Sequence, residues 1–246
     1  GFQKEYPNNF LDLGVQEANM VSTAIGLSKK GFIPIVDTFA QFGVTKGNLP
    51  LIMSALTQGP VIALFSHTGF QDAADGASHQ ATTYLAAVSS IPHTIVINVT
   101  CSSEAEAYMT MAIESFKTAY DKGETPESII FFFGRENHPA YLVKDFNYKW
   151  CAAQILTEGT DGVIVVSGPM VPKALQAQEL LRAQGKNLTV INSPFINKVD
   201  IKTIGDALER NQNKLITIED HQLIGGMGAQ TVHALKLAGH EFKVKS

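Results

Sequence analysis

The chain has few charged residues, few cysteines and no excess of positive charge. Charged residues make up 17% of its 246 residues, against about 25% in a typical soluble domain, which suggests broad buried contacts with other chains. Its net charge of −4 argues against nucleic-acid binding, because that requires basic residues to neutralise phosphates. No apolar run approaches the roughly 18 residues that span a membrane. Two cysteines give no disulfide framework and no metal-ligand spacing, so we expect no metal site and a reducing, cytoplasmic location.

What the sequence does contain is an alternation of β-rich runs and helical patterns. The later runs show little polar alternation, which favours strands covered on both faces, as in a parallel sheet. The first series predicts strands at Phe10–Leu13, Ile33–Val36, Val61–Phe65, Thr94–Ile97 and Ser128–Phe133, and helices over residues 15–30, 48–57, 77–88 and 103–120.

A second series of the same kind follows a more polar, irregular stretch from Val143 to Gly159, where we place a domain boundary. It predicts strands at Gly162–Val166, Leu188–Ile191 and Lys214–Ile218, and helices over residues 171–184, 201–211 and 227–238. The predicted fold class is therefore α/β, with two consecutive three-layer α/β domains of mostly parallel sheets, over residues 1–147 and 148–246.

Residues able to do chemistry follow several predicted strands of the first domain. Ligands of open parallel sheets bind beyond the carboxyl ends of the strands. Taken singly, each such residue is more simply interpreted as a helix cap, a dipole partner or a core aromatic, but together they predict a site. They are Glu17, Phe39, Phe42, His67, Asp75, His79 and Arg135.

Other kinds of site have weaker support. No Gly-x-Ser-x-Gly nucleophile elbow follows a strand. The Gly225–Gly228 segment lacks the order of a dinucleotide-binding motif, and we interpret it as a tight turn.

Several segments resemble motifs of the transketolase family of thiamine-diphosphate enzymes. The resemblance covers nearly the whole chain, and the motifs occur in the family's order. It is carried by Gly14-Val15-Gln16-Glu17-Ala18-Asn19-Met20, Thr38-Phe39 with Phe42, His67-Thr68-Gly69 with Asp75-Gly76-Ala77-Ser78-His79-Gln80, Gly134-Arg135-Glu136-Asn137, and Glu219 to Gly228.

The resemblance implies a cofactor, thiamine diphosphate, and roles for three residues around its aminopyrimidine ring. Glu17 would hydrogen-bond the N1′ atom of that ring and favour its imino tautomer. Phe39 and Phe42 would pack against the ring face. The cofactor would supply the nucleophile, while the protein orients it.

The same resemblance implies a phosphosugar substrate and the residues that hold it. His67 and Arg135 would bind the sugar phosphate, for which an arginine fork is well suited. Asp75 would accept a hydrogen bond from the 2-hydroxyl of the acceptor, and His79 would bond the hydroxyls of the two-carbon intermediate. Catalytic roles thus fall to Glu17, His67 and His79, in a transfer of a two-carbon ketol unit from a ketose phosphate to an aldose phosphate.

The chain also departs from the family pattern. Thr45 stands where many members carry a third aromatic residue, and Ala18 replaces the usual Gln after the glutamate. No Gly-Asp-Gly…Asn motif of a diphosphate-binding domain is found. We also expect the first strand and helix of the pyrimidine-binding domain, and the end of the C-terminal domain beyond Lys245, to be lacking.

These departures predict a C-terminal subunit or fragment of a split transketolase, inactive without its partner. The partner would be an N-terminal diphosphate-binding subunit or domain that holds Mg²⁺ or Ca²⁺, and a homodimer of pyrimidine-binding and C-terminal domains is expected. Two alternatives stay open. One is an enzyme similar to 1-deoxy-D-xylulose-5-phosphate synthase, in which Asp-Arg-Ala-Gly usually replaces Ser66-His67-Thr68-Gly69. The other is a non-catalytic binding module that keeps the fold.

Overall fold

Short runs of β-branched and aromatic residues form two separate sheets in the structure, a computed structural model that describes residues 1–246. The first sheet has the strand order β1-β2-β4-β3, and all of its strand pairs are parallel. Its strands are β1 (Ile35–Phe39), β2 (Ile62–Ser66), β3 (Thr94–Asn98) and β4 (Ser128–Phe132).

The second sheet has the order β5-β7-β6-β8-β9, in which β5 is antiparallel to its neighbour and the other pairs are parallel. Its strands are β5 (Gln154–Thr157), β6 (Val163–Val166), β7 (Thr189–Asn192), β8 (Lys214–Ile218) and β9 (Lys243–Lys245).

Helices cover both faces of each sheet, as connections between parallel strands require. None of these helices is both long and apolar enough to cross a membrane. They are α1 (Phe2–Glu5), α2 (Glu17–Ser28), α3 (Ala40–Thr45), α4 (Asn48–Thr57), α5 (Tyr84–Val88), α6 (Ser102–Asp121), α7 (Val171–Ala183), α8 (Ile201–Arg210) and α9 (Met227–Leu237), with 3-10 turns at Pro7–Asn9 and Gly168–Met170.

The packing gives each domain three layers. In the first, Phe65 and Phe132 face α2 to α5, whereas Ile129 and Phe131 face α6. In the second, one sheet face packs on α8 and α9 and the other on α7. The prediction of two mostly parallel three-layer α/β domains is confirmed.

The predicted strand at Phe10–Leu13 is wrong. These residues pair with no strand, and only Leu13 is half-buried. The carboxylate of Asp12 accepts a hydrogen bond from the Gly14 backbone N–H at 2.9 Å. Such a local side-chain contact turns the chain and competes with strand pairing.

Other predicted boundaries also need correction. The helix predicted over residues 77–88 is confined to α5, because residues 70–83 form an irregular loop. The polar stretch around the domain boundary contains β5, and neither α3 nor β9 was predicted. These are short elements whose form depends on tertiary contacts more than on local pattern.

The two domains are joined along the free edge of β3. The backbone of Ile97 forms an antiparallel bridge with Phe195, and the N–H of Ile196 donates to the Val96 carbonyl at 2.9 Å. The side chain of Asn197 donates to the Thr94 carbonyl at 2.7 Å. The segment after β7 therefore covers an edge that would otherwise present unpaired backbone groups.

Candidate functional site

The site residues lie beyond the carboxyl ends of three adjacent strands. Phe39 is the last residue of β1, His67 follows β2, and Arg135 follows β4. Because β2 lies between β1 and β4, the loops that leave these strands meet at one edge of the sheet.

Four rings pack together at this edge. The Phe39 and His67 ring centroids are 3.9 Å apart in a stacked arrangement, and the Phe42 and His79 centroids are 5.0 Å apart, edge to face. Phe39 and Phe42 stack at 6.5 Å, because α3 begins directly after β1. Two histidines from one loop are thus brought against two aromatics from the junction of β1 and α3.

His67 is held in an unusual backbone conformation, with φ at +64°. Residues other than glycine rarely adopt this left-handed region, and such strain persists only where the surrounding structure imposes it. Its Nδ1 lies 2.8 Å from the Ser66 hydroxyl oxygen. In this conformation the imidazole stacks on the ring of Phe39.

Asp37 lies in β1 near His67 and was not predicted as a site residue. Desolvation raises the pKa of its carboxyl, while the nearby His67 opposes that rise. The sequence did offer one indication of a site role, because Asp37 comes directly after the predicted strand Ile33–Val36.

Arg135 is tied to the loop that carries the two histidines. Its Nε lies 3.1 Å from Oδ1 of Asp72, a fully buried carboxylate. The Gln71 side-chain oxygen accepts hydrogen bonds from the backbone N–H groups of Arg135, at 2.7 Å, and Glu136, at 3.3 Å. Neither Gln71 nor Asp72 was predicted, since a lone amide or carboxylate in a polar loop carries no motif.

The structure gives Glu17 and Asp75 fewer contacts than the other predicted residues. Glu17 is the half-buried first residue of α2, the helix that packs against β1. Asp75 lies exposed on the loop between His67 and His79. Neither residue pairs with another side chain in the structure.

The second domain reaches this loop through the segment after β8. Both Asp220 oxygens lie 3.2 Å from the Phe70 backbone N–H, which donates to them. Burial raises the pKa of the Asp220 carboxyl, and that hydrogen bond opposes the rise. The Gly225–Gly228 segment forms the turn into α9, as predicted.

Comparison with protein families identifies both halves of the chain. Residues 1–137 match the transketolase pyrimidine-binding domain, and residues 152–246 match the transketolase C-terminal domain. The chain belongs to the transketolase family. The resemblance in the motifs is confirmed.

Individual transketolase-family relatives agree with this assignment. A protein of Methanocaldococcus jannaschii named as a transketolase C-terminal section is 28% identical over 97% of this chain and 72% of its own length. The 1-deoxy-D-xylulose-5-phosphate synthase of Clostridium acetobutylicum is 28% identical over 93% of this chain, which spans only 35% of that enzyme.

A solved structure described as a split gene transketolase, in an inactive beta4 tetramer, has the same architecture. It superposes with a TM-score of 0.82 and 26% identity, over 99% of this chain and 75% of that one.

The aromatic edge of this transketolase-family chain suits the pyrimidine end of thiamine diphosphate. Phe39 and Phe42 offer an apolar ring surface, and Glu17 offers a carboxyl at the adjoining helix start. No group of three or more metal-ligating side chains lies together in the structure.

Proposed function

We propose that this chain is the C-terminal subunit or fragment of a thiamine-diphosphate-dependent transketolase. It would act in transferring a two-carbon ketol unit from a ketose phosphate to an aldose phosphate. The diphosphate-binding domain would be supplied by another polypeptide or by a further part of this one.

The observation that carries the proposal is the cluster of Phe39, Phe42, His67 and His79. It joins an apolar ring surface to two polar rings at one sheet edge. A flat heteroaromatic ring is held well by offset stacking on such a surface, and the imidazoles supply hydrogen-bonding groups directly beside it.

Glu17 is the residue proposed to act on the pyrimidine ring. Its carboxyl can donate or accept one proton at a ring nitrogen and so set the tautomer of the ring. Thiamine diphosphate, when bound, supplies a carbon nucleophile that accepts the two-carbon unit. Phe39 and Phe42 would orient the ring and exclude water from its face.

The substrate residues are proposed from their place around the same cluster. His67 would help to bind the sugar phosphate, His79 would hydrogen-bond the hydroxyls of the two-carbon intermediate, and Asp75 would accept a hydrogen bond from the 2-hydroxyl of the acceptor. Arg135 would bind the phosphate, for which its planar fork is suited.

The proposed partner is an N-terminal diphosphate-binding subunit that also holds Mg²⁺ or Ca²⁺. The named C-terminal section and the split transketolase structure support a division of the enzyme between chains. A homodimer of this chain within the complex is also proposed, since 17% charged residues leave much apolar surface for contacts.

The test is reconstitution with that diphosphate-binding partner and thiamine diphosphate. We expect ketol transfer from a pentulose phosphate by the complex and none by this chain alone. Glu17→Ala should lower turnover by at least about a hundredfold, the range of a lost acid-base group.

Glu106→Ala is the matched control, because Glu106 is an exposed glutamate on α6 outside the site. Unchanged turnover of the Glu17 variant would overturn the proposed mechanism, and transfer by this chain alone would overturn the need for a partner.

The alternative activity is that of a 1-deoxy-D-xylulose-5-phosphate synthase, favoured by the Clostridium acetobutylicum relative. The His67-Thr68-Gly69 sequence after β2 favours transketolase. Formation of 1-deoxyxylulose 5-phosphate by the reconstituted complex, without ketol transfer, would decide for the alternative. Absence of both activities would favour a non-catalytic binding module.

A further inference from the structure

Asp72 is a buried charge that lacks ordinary partners. Its side chain is completely shielded from solvent, and neither carboxylate oxygen accepts a hydrogen bond of regular geometry. A buried carboxylate is costly unless a cation or hydrogen-bond donors compensate it. Its presence on the loop between His67 and His79 therefore calls for a specific reason.

The neighbouring cation is Arg135, whose Nε lies 3.1 Å from Oδ1 of Asp72. Arg135 is the single arginine of the first domain, because the other two, Arg182 and Arg210, lie in α7 and α8. The one arginine fork available at the candidate site is thus paired with the one fully buried aspartate beside it.

The pairing leaves part of Arg135 free for a ligand. The contact engages Nε, so the two Nη groups at the end of the side chain remain without a partner in the chain. The Arg135 side chain keeps 41% of its exposure to solvent. At the other end, Gln71 fixes the backbone N–H of Arg135, so both ends of the residue are held by the same loop.

A hydrogen bond and close packing also hold the loop that carries Asp72. The Gln80 side-chain amide donates to the backbone carbonyl of Asp72 at 3.3 Å. Gly134 has no room for a side chain, because a Cβ atom there would overlap the Gln71 side-chain oxygen and would meet Pro169 at 2.8 Å. These contacts hold Asp72 beneath a partly exposed guanidinium.

We propose that Asp72 is a positioning residue that holds Arg135 with its Nη groups toward the phosphate of the substrate. The inference rests on the proposed function for the nature of that phosphate. In this proposal Asp72 fixes the guanidinium of Arg135 before the substrate arrives. Arg135 is thereby made selective for phosphorylated sugars.

The first test reads the arginine directly in the isolated chain by NMR of the Nε–H groups. Three arginines give three resonances, which Arg→Lys variants assign. We expect the Arg135 resonance to exchange with solvent more slowly than those of Arg182 and Arg210. In Asp72→Asn the Arg135 exchange rate should rise about tenfold, as expected for loss of a charge-assisted contact.

Inorganic phosphate is the probe of ligand binding. Titrated into the wild-type chain, it should shift the Arg135 resonance and leave those of Arg182 and Arg210 in place. Equal shifts at all three arginines would overturn the assignment of Arg135 as the anion-binding group. Fast wild-type exchange at Arg135 would overturn the ion pair, even if the Asp72 variant failed to fold.

The second test uses the complex reconstituted with its diphosphate-binding partner. In Asp72→Asn, KM for a ketose phosphate should rise about tenfold, with kcat changed less than about twofold, because a ground-state binding group is misplaced. KM for the unphosphorylated ketose should not change. Asp206→Asn, which removes an exposed ion pair of α8, is the control.

An unchanged or lower KM for the phosphorylated substrate, or an equal rise with both substrates, would overturn the positioning role. The two tests separate the proposals: a complex without transferase activity would contradict the proposed function, whereas the spectra would still decide whether Asp72 holds Arg135.

Discussion

At the scale of the residue, Gly69 shows how tightly the loop after β2 is fitted. Its φ is +66°, and a Cβ atom there would overlap the carboxylate of Asp220 from the second domain. Glycine is required for two reasons. Any other residue would be strained in this backbone conformation, and its Cβ atom would have no room. At Gly69 the loop that carries the two histidines packs directly against Asp220 of the second domain.

Gly69→Ala should therefore destabilise the chain by about 3 kcal/mol, which combines left-handed strain with overpacking. Gly76→Ala is a matched control on the same loop, because Gly76 has φ of +78° and open space around its Cβ position. That variant should cost about 1 kcal/mol, from strain alone. Urea denaturation measures both, and equal losses would show that Asp220 moves aside freely.

The residues of the ring cluster could be predicted from the sequence. The carboxylates that hold the loop carrying the two histidines could not. Phe39 and His67 stand next to recognisable strands, and the parallel-sheet rule brings such positions together. Asp72 and Asp220 act through contacts between distant loops. Nothing in their immediate sequence distinguishes them from solvated carboxylates.

At the scale of the element, α8 is fixed at its start by Asp200. Oδ1 of Asp200 accepts from the Thr203 N–H at 3.0 Å, and Oδ2 accepts from the Ala153 N–H at 3.0 Å. The first contact caps the helix. The second secures the chain immediately before β5, the antiparallel edge strand.

Asp200→Ala should lower the free energy of unfolding by about 2 kcal/mol, because a cap and a second hydrogen bond are lost together. Asp200→Asn keeps one oxygen acceptor and should lose about half as much, roughly 1 kcal/mol. Thermal or urea denaturation distinguishes the two. Equal losses for both variants would mean that the oxygen retained by asparagine contributes nothing, whereas no loss for Asp200→Asn would mean that the contact with Ala153 contributes nothing.

Elements were predicted well where the local pattern and the tertiary role agree. The buried strands β2, β4 and β6 are continuous apolar runs with two covered faces. Such runs are typical of strands in a parallel sheet. Phe10–Leu13 has a similar apolar content but no neighbouring strand to pair with. Pairing is a property of the whole sheet, so a single run could not reveal its absence.

At the scale of the whole molecule, a buried carboxyl connects the two domains. Glu104 lies near the start of α6 with no exposed surface. It accepts hydrogen bonds from the Thr100 N–H at 2.7 Å and, across the domain boundary, from the side-chain amides of Gln154 and Asn192 at 2.8 Å each. Because β5 and β7 both contribute a donor, this carboxyl helps to fix the relative position of the domains.

The network should make the stability of the chain depend on pH. Burial raises the pKa of Glu104 to about 7, although the three hydrogen bonds oppose the rise. The folded chain therefore holds this proton more tightly than the unfolded chain, whose glutamate has a pKa of 4.5. The resulting stabilisation is fully present below pH 4.5 and is lost as pH rises through 7. Its size is roughly 3 kcal/mol.

Glu104→Gln should remove this dependence. Measured by urea denaturation from pH 5 to 8.5, the wild-type chain should lose roughly 2 to 3 kcal/mol more than the variant. Half-buried carboxyls with a raised pKa, such as those of Glu219 and Asp220, titrate in both proteins, so their effect cancels in the difference. Glu106→Gln, an exposed neighbour on the same helix, should follow the wild-type profile. Parallel profiles for the wild type and Glu104→Gln would show that the three donors keep the carboxylate ionised, with hydrogen bonding outweighing burial at the domain junction.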